Sequence, residues 1–236
     1  MITGGASGIG AETAARLAAD GFRVAIIYRS GKDAAQSRAK AIRANGGAAE
    51  IFQADLTSEA DVARAVADIV AHFGGIDVLV NSAGISTMSP LGEMTPDMID
   101  RELSTNVKSV VLVTQACLPH MPEGGAIVNV GSNLADAPIA GLSLYSATKA
   151  AVASLTKGFA RELGRRSIRV NAVAPGATRT PMTAWIDDES MASIAEATPL
   201  GRIAEPEDIA GAIAFLAGPS AGWINGRTIV ADGGLV

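Results

Sequence analysis

Thr3-Gly4-Gly5-Ala6-Ser7-Gly8-Ile9-Gly10 runs directly into Ala11-Glu12-Thr13-Ala14-Ala15-Arg16-Leu17-Ala18. The second run reads as helix, so the glycines ahead of it form a turn from a strand into that helix. Such a turn leaves backbone N–H groups and the positive end of a helix dipole free to receive a phosphate. The spacing Gly-xxx-Gly-x-Gly also suits an ordinary tight turn, and the rest of the chain has to decide between the two.

Downstream, Arg23 to Tyr28 reads as a buried strand, Gly31 to Asn45 as a helix ended by Gly46-Gly47, and Ala48 to Gln53 as a strand followed by Asp55. Ser58 caps a helix running through Phe73, with Glu59 and Asp61 in its first turn and Gly74-Gly75 closing it. Ile76 to Val80 is a fourth strand ending in Asn81-Ser82-Ala83-Gly84, small residues that let a flat ligand approach the backbone. A long helix is expected from about Pro96 to Leu118, then a strand from Ala126 to Val130 with Ser132 just beyond it. A helix around Tyr145, a strand from Ile168 to Ala174, a helix from Pro206 to Leu216 and a strand near Arg227 to Ala231 complete the chain.

Alternating strands and helices with short apolar strands are the pattern of an α/β domain built on a parallel sheet covered on both faces. No linker composition or repeat divides the chain, so residues 1–236 are expected to form one domain. In such sheets ligands bind beyond the carboxyl ends of the strands. Gly4 to Gly10, Asp55, Asn81 to Gly84, Ser132 and Pro175-Gly176 all fall there. Only Met1, Ile2 and Thr3 precede the glycine turn, although strands usually have about 5–6 residues. A central strand this short predicts that the natural chain begins upstream of Met1, and an intact mass of the natural protein above that of these 236 residues is the expected result.

A formal charge of −5 argues against a generic polyanion partner such as nucleic acid, since that binding needs a clustered basic surface. Arg161 to Arg169 is the one basic-rich patch and reads as a solvated helix end. Cys117 is the single cysteine, and His72 and His120 lie far apart, so neither a disulfide nor a metal site is expected. No apolar run approaches the roughly 20 residues of a membrane span, and a cytoplasmic location is the expectation.

Tyr145-Ser146-Ala147-Thr148-Lys149 carries the chemistry. In a helix Tyr145 and Lys149 share one face. A phenol ordinarily titrates near pH 10, and a unit charge at ~4 Å in an effective dielectric of ~20 is worth roughly 4 kcal/mol, an upper bound near three pKa units. Lys149 is therefore expected to bring the Tyr145 phenol into working range. A Tyr–Lys pair one turn apart also arises by chance on surfaces. Tyr145, however, is one of only two tyrosines, with Tyr28, and stands among small residues.

Together, Thr3-Gly-xxx-Gly-x-Gly10, Asn81-Ser-Ala-Gly84, Asn106, Ser132, Tyr145-xxx-Lys149, Pro175-Gly176 with Thr180, and Asp232-Gly233-Gly234 resemble the short-chain dehydrogenase/reductase family in order and spacing, from Thr3 to Gly234. The resemblance implies a Rossmann-like doubly wound sheet and an oxidoreductase that moves a hydride between a nicotinamide cofactor and a carbonyl or secondary alcohol. It implies a tetrad of Asn106, Ser132, Tyr145 and Lys149. Tyr145 would exchange the proton with the substrate oxygen and Ser132 would hydrogen-bond that oxygen. Lys149 would tune the phenol and hold the nicotinamide ribose, and Asn106 would anchor a water leading from the lysine to solvent. Cofactor contacts are implied for Gly4, Ser7, Gly8, Ile9 and Gly10 of the turn and for Asp55 and Leu56 at the adenine. Asn81, Ala83 and Gly84 would lie on the adenosine side, with Tyr145, Lys149, Pro175, Gly176, Thr178 and Thr180 at the nicotinamide end. At the end of the second strand, where an acid would reject a 2′-phosphate, the chain has Arg29, Ser30 and Lys32. Those residues suit a phosphate, so NADP(H) is expected over NAD(H), with NAD(H) possible.

Between Thr180 and Thr198, Met182, Trp185, Ile186, Met191 and Ile194 form an apolar set where the family covers its substrate. They suggest a small or medium-sized, partly apolar carbonyl compound, although the same pattern suits a helix packing on the domain. Reduction of 3-oxoacyl groups on acyl carrier protein is the alternative. It is ranked second because Pro122-Glu123-Gly124-Gly125 stands where those reductases tend to be basic, with only Arg165 and Arg166 remaining of a docking patch. A non-catalytic NADP-binding sensor or scaffold is the alternative of another class, and the intact tetrad argues against it. Leu103, Val107, Val110, Val111 and Leu118 on one long helix, and Ala150, Ala151, Leu155 and Phe159 on the other, exceed one core stripe. Similarity to the family then points to a homotetramer built on these helices, with a dimer as the fallback.

Overall fold

In the computed structural model, which describes residues 1–236, β1 (Ile2–Thr3) feeds through the glycine turn into α1 (Gly8–Ala19). The chain continues through β2 (Arg23–Tyr28), α2 (Lys32–Ala44), β3 (Ala48–Gln53), α3 (Glu59–Phe73) and β4 (Val78–Asn81). Next come α4 (Pro96–Leu103), α5 (Ser109–Cys117), β5 (Ala126–Val130), α6 (Ser143–Leu163), β6 (Arg169–Pro175), α7 (Asp188–Ala197), α8 (Pro206–Ala217) and β7 (Thr228–Ala231). The seven strands form one sheet in the order β3-β2-β1-β4-β5-β6-β7, every pair parallel. This is the doubly wound, Rossmann-like architecture, and strand order reverses between β1 and β4.

Period-two alternation divides the core. Val24, Ile26, Val80, Val128 and Val173 point to one face and pack with Leu17 of α1, Ile42 of α2 and Ile213 of α8. Ala25, Ile27, Leu79, Ile127 and Val170 point to the other and meet Val66 of α3 and Val113 of α5. Both faces are therefore dry, which is why these strands read as continuous apolar runs.

Element ends follow local chemistry. The Ser58 side chain accepts the Asp61 N–H at the start of α3, and Gly74 closes that helix with φ 87°. β1 is only two residues long, yet its ladder is extended at both ends. Gly5 N–H donates to the Ile27 carbonyl, and the Met1 ammonium donates to Val78.

The expected single helix from Pro96 to Leu118 is interrupted. A π turn at Ser104–Lys108 separates α4 from α5, and a 3-10 turn follows at Leu118–His120. One residue more per turn changes which side chains face inward, and it leaves the apolar pattern on either side intact. Asn106 lies within this π turn and is buried.

Beneath the sheet a chain of buried amides and hydroxyls ties β4, β5, α5 and α6 together. Asn81 Nδ2 donates to Thr114 Oγ1 (3.3 Å) and Asn129 Oδ1 (2.9 Å), and Asn129 Nδ2 donates to Thr156 Oγ1 (2.9 Å). Removing the central amide leaves buried donors and acceptors without partners, at ~1–3 kcal/mol for each group. Asn129→Ala is expected to destabilise the protein by about 2–3 kcal/mol, read as a lower urea midpoint at unchanged slope.

Candidate active site

The site forms at the reversal of strand order. Thr3 Oγ1 accepts the N–H groups of Ser82 (3.0 Å) and Ala83 (3.1 Å), fastening the end of β4 to the start of the glycine turn. The approach is close enough that a Cβ on Gly4, which has φ 65°, would lie 2.9 Å from the Ala83 Cα. A Cβ on Gly10 would collide with the Gly4 carbonyl. Ser7, at the N-cap of α1, is extended and its side chain caps nothing, so the first N–H groups of α1 are left for a ligand.

Two cavities meet over this turn and share Gly4, Ser7, Ala83 and Gly84. The larger is lined by Gly8, Ile9, Gly10, Ser132, Tyr145, Lys149, Pro175, Gly176, Thr178 and Thr180. The other is lined by Tyr28, Arg29, Ser30, Asp55 and Leu56. A two-lobed groove with a helix N-terminus at its waist suits a dinucleotide: a pyrophosphate over Ser7 to Gly10, one nucleoside in each lobe. Asp55 accepts the Thr57 N–H (2.9 Å) and hydroxyl (2.7 Å). Those bonds, with Arg29 nearby, hold its carboxyl below the usual range. The Arg29 guanidinium itself makes no hydrogen bond or ion pair within the chain.

Ser132, Tyr145 and Lys149 line one wall of the larger cavity. Lys149 Nζ donates to the Val130 carbonyl (2.8 Å) and lies 5.6 Å from the Tyr145 ring centre. A Cβ on Gly84 would sit 3.3 Å from Asn106 Oδ1 and 3.5 Å from Lys149 Nζ, so amide and ammonium converge beneath that glycine. Ser132 Oγ accepts the Leu134 N–H (3.2 Å).

Two expectations are corrected, and the side-chain partners of a third residue are fixed. Lys149 does not bring the phenol into the working range, because burial outweighs it. Burial pushes Tyr145 up to about 12, the Ser132 side chain offsets this only partly, and the Glu102 carboxylate adds to it. Burial also pushes Lys149 down to about 8, because a charge in a dry wall is disfavoured whichever group carries it. Asn81 lines neither cavity, its amide being turned to Asn129 and Thr114. The Asn106 side chain braces the site: Nδ2 donates to the Ile85 carbonyl (2.8 Å) and Thr148 Oγ1 (3.0 Å), and Oδ1 accepts the Ile85 N–H (2.8 Å).

Val130, Gly131, Pro181 and Thr183, which nothing in the sequence singled out, also line the larger cavity, together with Ser82 and Met182. Sequence reasoning also missed Glu102, buried on α4 one turn before Asn106. The signal available for Glu102 was an acid on the inward face of an amphipathic helix.

The family profile described as enoyl-(acyl carrier protein) reductase matches residues 4–236. An uncharacterized oxidoreductase of Methylorubrum extorquens is 40% identical over 238 residues, covering 100% of this chain and 96% of the relative. The chain belongs to the short-chain dehydrogenase/reductase family. It is an NAD(P)-dependent oxidoreductase. A 3-oxoacyl-[acyl-carrier-protein] reductase of Staphylococcus epidermidis is 39% identical over 237 residues, covering 100% of this chain and 97% of that protein. Among solved structures, a short-chain dehydrogenase from Burkholderia cenocepacia in complex with NADP has a TM-score of 0.95 and 42% identity, covering 99% of this chain and 96% of that one. No helix is long and apolar enough to cross a membrane.

Lys149 has a folded pKa of about 8 against an ordinary 10.5, so the unfolded chain binds more protons between those values and stability rises with pH across that window. The burial penalty is full below about pH 8. In Lys149→Met this rise, on the order of 2–3 kcal/mol, is expected to vanish from urea titrations compared between about pH 8 and 10.

Proposed function

We propose that the protein transfers a hydride between NADP(H) and a small or medium-sized carbonyl compound or secondary alcohol, with Tyr145 as the proton donor and acceptor. The observation that carries this reading is the shared wall of Ser132, Tyr145 and Lys149, which faces the lobe that begins at the glycine turn. When bound, the nicotinamide supplies the hydride. A phenol held at about 12 is protonated at neutral pH, the state required to give a proton to a carbonyl oxygen as it becomes an alkoxide. Ser132 donates a hydrogen bond to the same oxygen and steadies its developing charge. Lys149, charged below about pH 8, would offset part of the negative charge left on Tyr145 when its proton departs and would hold the ribose. In oxidation the same groups work in reverse.

NADP(H) is favoured by the unpaired Arg29 with Ser30 at the rim of the second lobe, where a 2′-phosphate would be received by a charge-assisted fork. The relative from Burkholderia, crystallised with NADP, supports this choice. Met182 at the cleft and the exposed Trp185 beside it favour a partly apolar substrate.

A 3-oxoacyl group on acyl carrier protein is the second reading, favoured by the Staphylococcus relative. The acidic turn and the arginine pair that weigh against it stand away from the cleft. Pro122 to Gly125 precede β5 and Arg165-Arg166 follow α6, so both lie at the amino edge of the sheet, opposite the site. Arg166 is tied to the Leu118 and Met121 carbonyls.

The assembly in this proposal is a homotetramer. Val110 is buried in the subunit, but Leu103 is exposed, and Phe215, Trp223, Ile229 and Val230 add an exposed apolar surface on α8, β7 and the turn between them. Light scattering on the purified protein reads the assembly directly.

The deciding experiment compares NADPH and NADH oxidation against ketones, diketones, quinones, keto-sugars and a 3-oxoacyl thioester. NADPH turnover that falls by ~10²–10⁴ in Tyr145→Phe is expected. Arg29→Ala should weaken NADPH binding roughly 10- to 100-fold and leave NADH unchanged, since one charge-assisted contact is worth ~1.5–3 kcal/mol. NADH preference in the native protein, or full activity in Tyr145→Phe, would overturn the corresponding part.

A further inference from the structure

We propose that Glu102 is a fifth functional residue of this site, a positioning residue whose buried carboxylate keeps the Lys149 ammonium charged beside Tyr145. The inference rests on the reading of Tyr145 as proton donor.

Glu102 is 1% exposed, on an amphipathic helix that otherwise buries none of its charged residues. Its Oε1 has no hydrogen-bond partner, and the Thr87 main-chain N–H faces its carboxyl. A buried acid without a full set of partners is costly, and it is tolerated where a nearby charge compensates it.

The register of the helices places Glu102 against the face of α6 that carries Tyr145 and Lys149. α4 and α6 both follow parallel strands and run in the same direction, and the Asn106–Thr148 hydrogen bond (3.0 Å) fixes their alignment. One turn earlier on each helix brings Glu102 level with Leu144 and Tyr145. Asn106, four residues after Glu102, shares its face and converges with Lys149 Nζ beneath Gly84. The charged and titratable groups acting on Glu102 are Lys149 from α6 and Arg101 from its own helix, and those acting on Lys149 reduce to Glu102. Burial raises the Glu102 carboxyl, and the Lys149 charge opposes that rise. Lys149 has one neutral acceptor, the Val130 carbonyl, and Glu102 is the only anion that opposes its loss of charge.

The arrangement gives Glu102 two opposed effects. It retains a proton on Lys149, and it disfavours the Tyr145 phenolate directly. Glu102 therefore sets the pH at which the Tyr145–Lys149 pair changes charge, without touching substrate or cofactor.

The test needs no substrate. The chain has five lysines, so ¹³Cε-lysine labelling gives a simple NMR titration, with Lys149 assigned by its loss in Lys149→Met. Glu102→Gln keeps the shape and removes the charge. It is expected to lower the Lys149 midpoint by about one pH unit. Glu102→Asp, which retracts the charge, should give an intermediate midpoint and serves also if the Gln variant does not fold. A Lys149 midpoint in either folded variant that coincides with the native one overturns the inference. With a substrate in hand, the pH profile of kcat/KM should move by the same amount in Glu102→Gln. Full activity in Tyr145→Phe would instead sink the proton-donor reading and leave the lysine titration standing, so the two failures are distinguishable.

Discussion

The Thr3 hydroxyl holds the point on which the site depends. Between β1 and β4 the crossover helices depart to opposite faces, and the carboxyl edge of the sheet opens there. Thr3 Oγ1 accepts two successive N–H groups from Ser82 and Ala83 across that opening. The two backbones are brought so near that only glycine fits at position 4. The floor of the groove is thus made of main chain, with its N–H groups turned toward a ligand and no side chain in the way.

The opposite wall is built on another principle. Lys149 and Tyr145 are buried in a helix packed on the sheet, and Glu102 is buried behind them. Burial disfavours every charged form, so the phenol is pushed up and the ammonium down. The wall therefore holds a protonated phenol beside a lysine poised near neutrality. A π turn between α4 and α5 braces this wall. It turns the Asn106 amide inward, where it clamps Ile85 and Thr148 and so locks α4 against α6.

Much of this was legible in the chain because it is encoded locally. The cap at Ser58, the glycine at 74, the apolar strands and the turn at Gly4 to Gly10 are consequences of backbone preference and period, and all stand in the structure. Residues that line the groove because their strand ends there, such as Ser132 and Gly176, follow from strand order and the carboxyl-edge rule. The interrupted helix was not legible, since residues of the π turn keep helical dihedrals and the apolar spacing on both sides continues. The inward turn of Asn81 was hidden as well, because its partners Thr114 and Asn129 are distant in sequence.

The sequence by itself determined the α/β class, the single parallel sheet, the family and the groove's glycine floor, because each depends on short-range spacing and composition. Only the tertiary structure decided the electrostatics. Whether Lys149 lowers the Tyr145 phenol, whether Pro122 to Gly125 flank the site, and whether Glu102 belongs to it all turn on which groups are buried together and at which edge of the sheet. Those are properties of contacts between elements far apart in the chain, and the energy of a charge depends on what surrounds it in space.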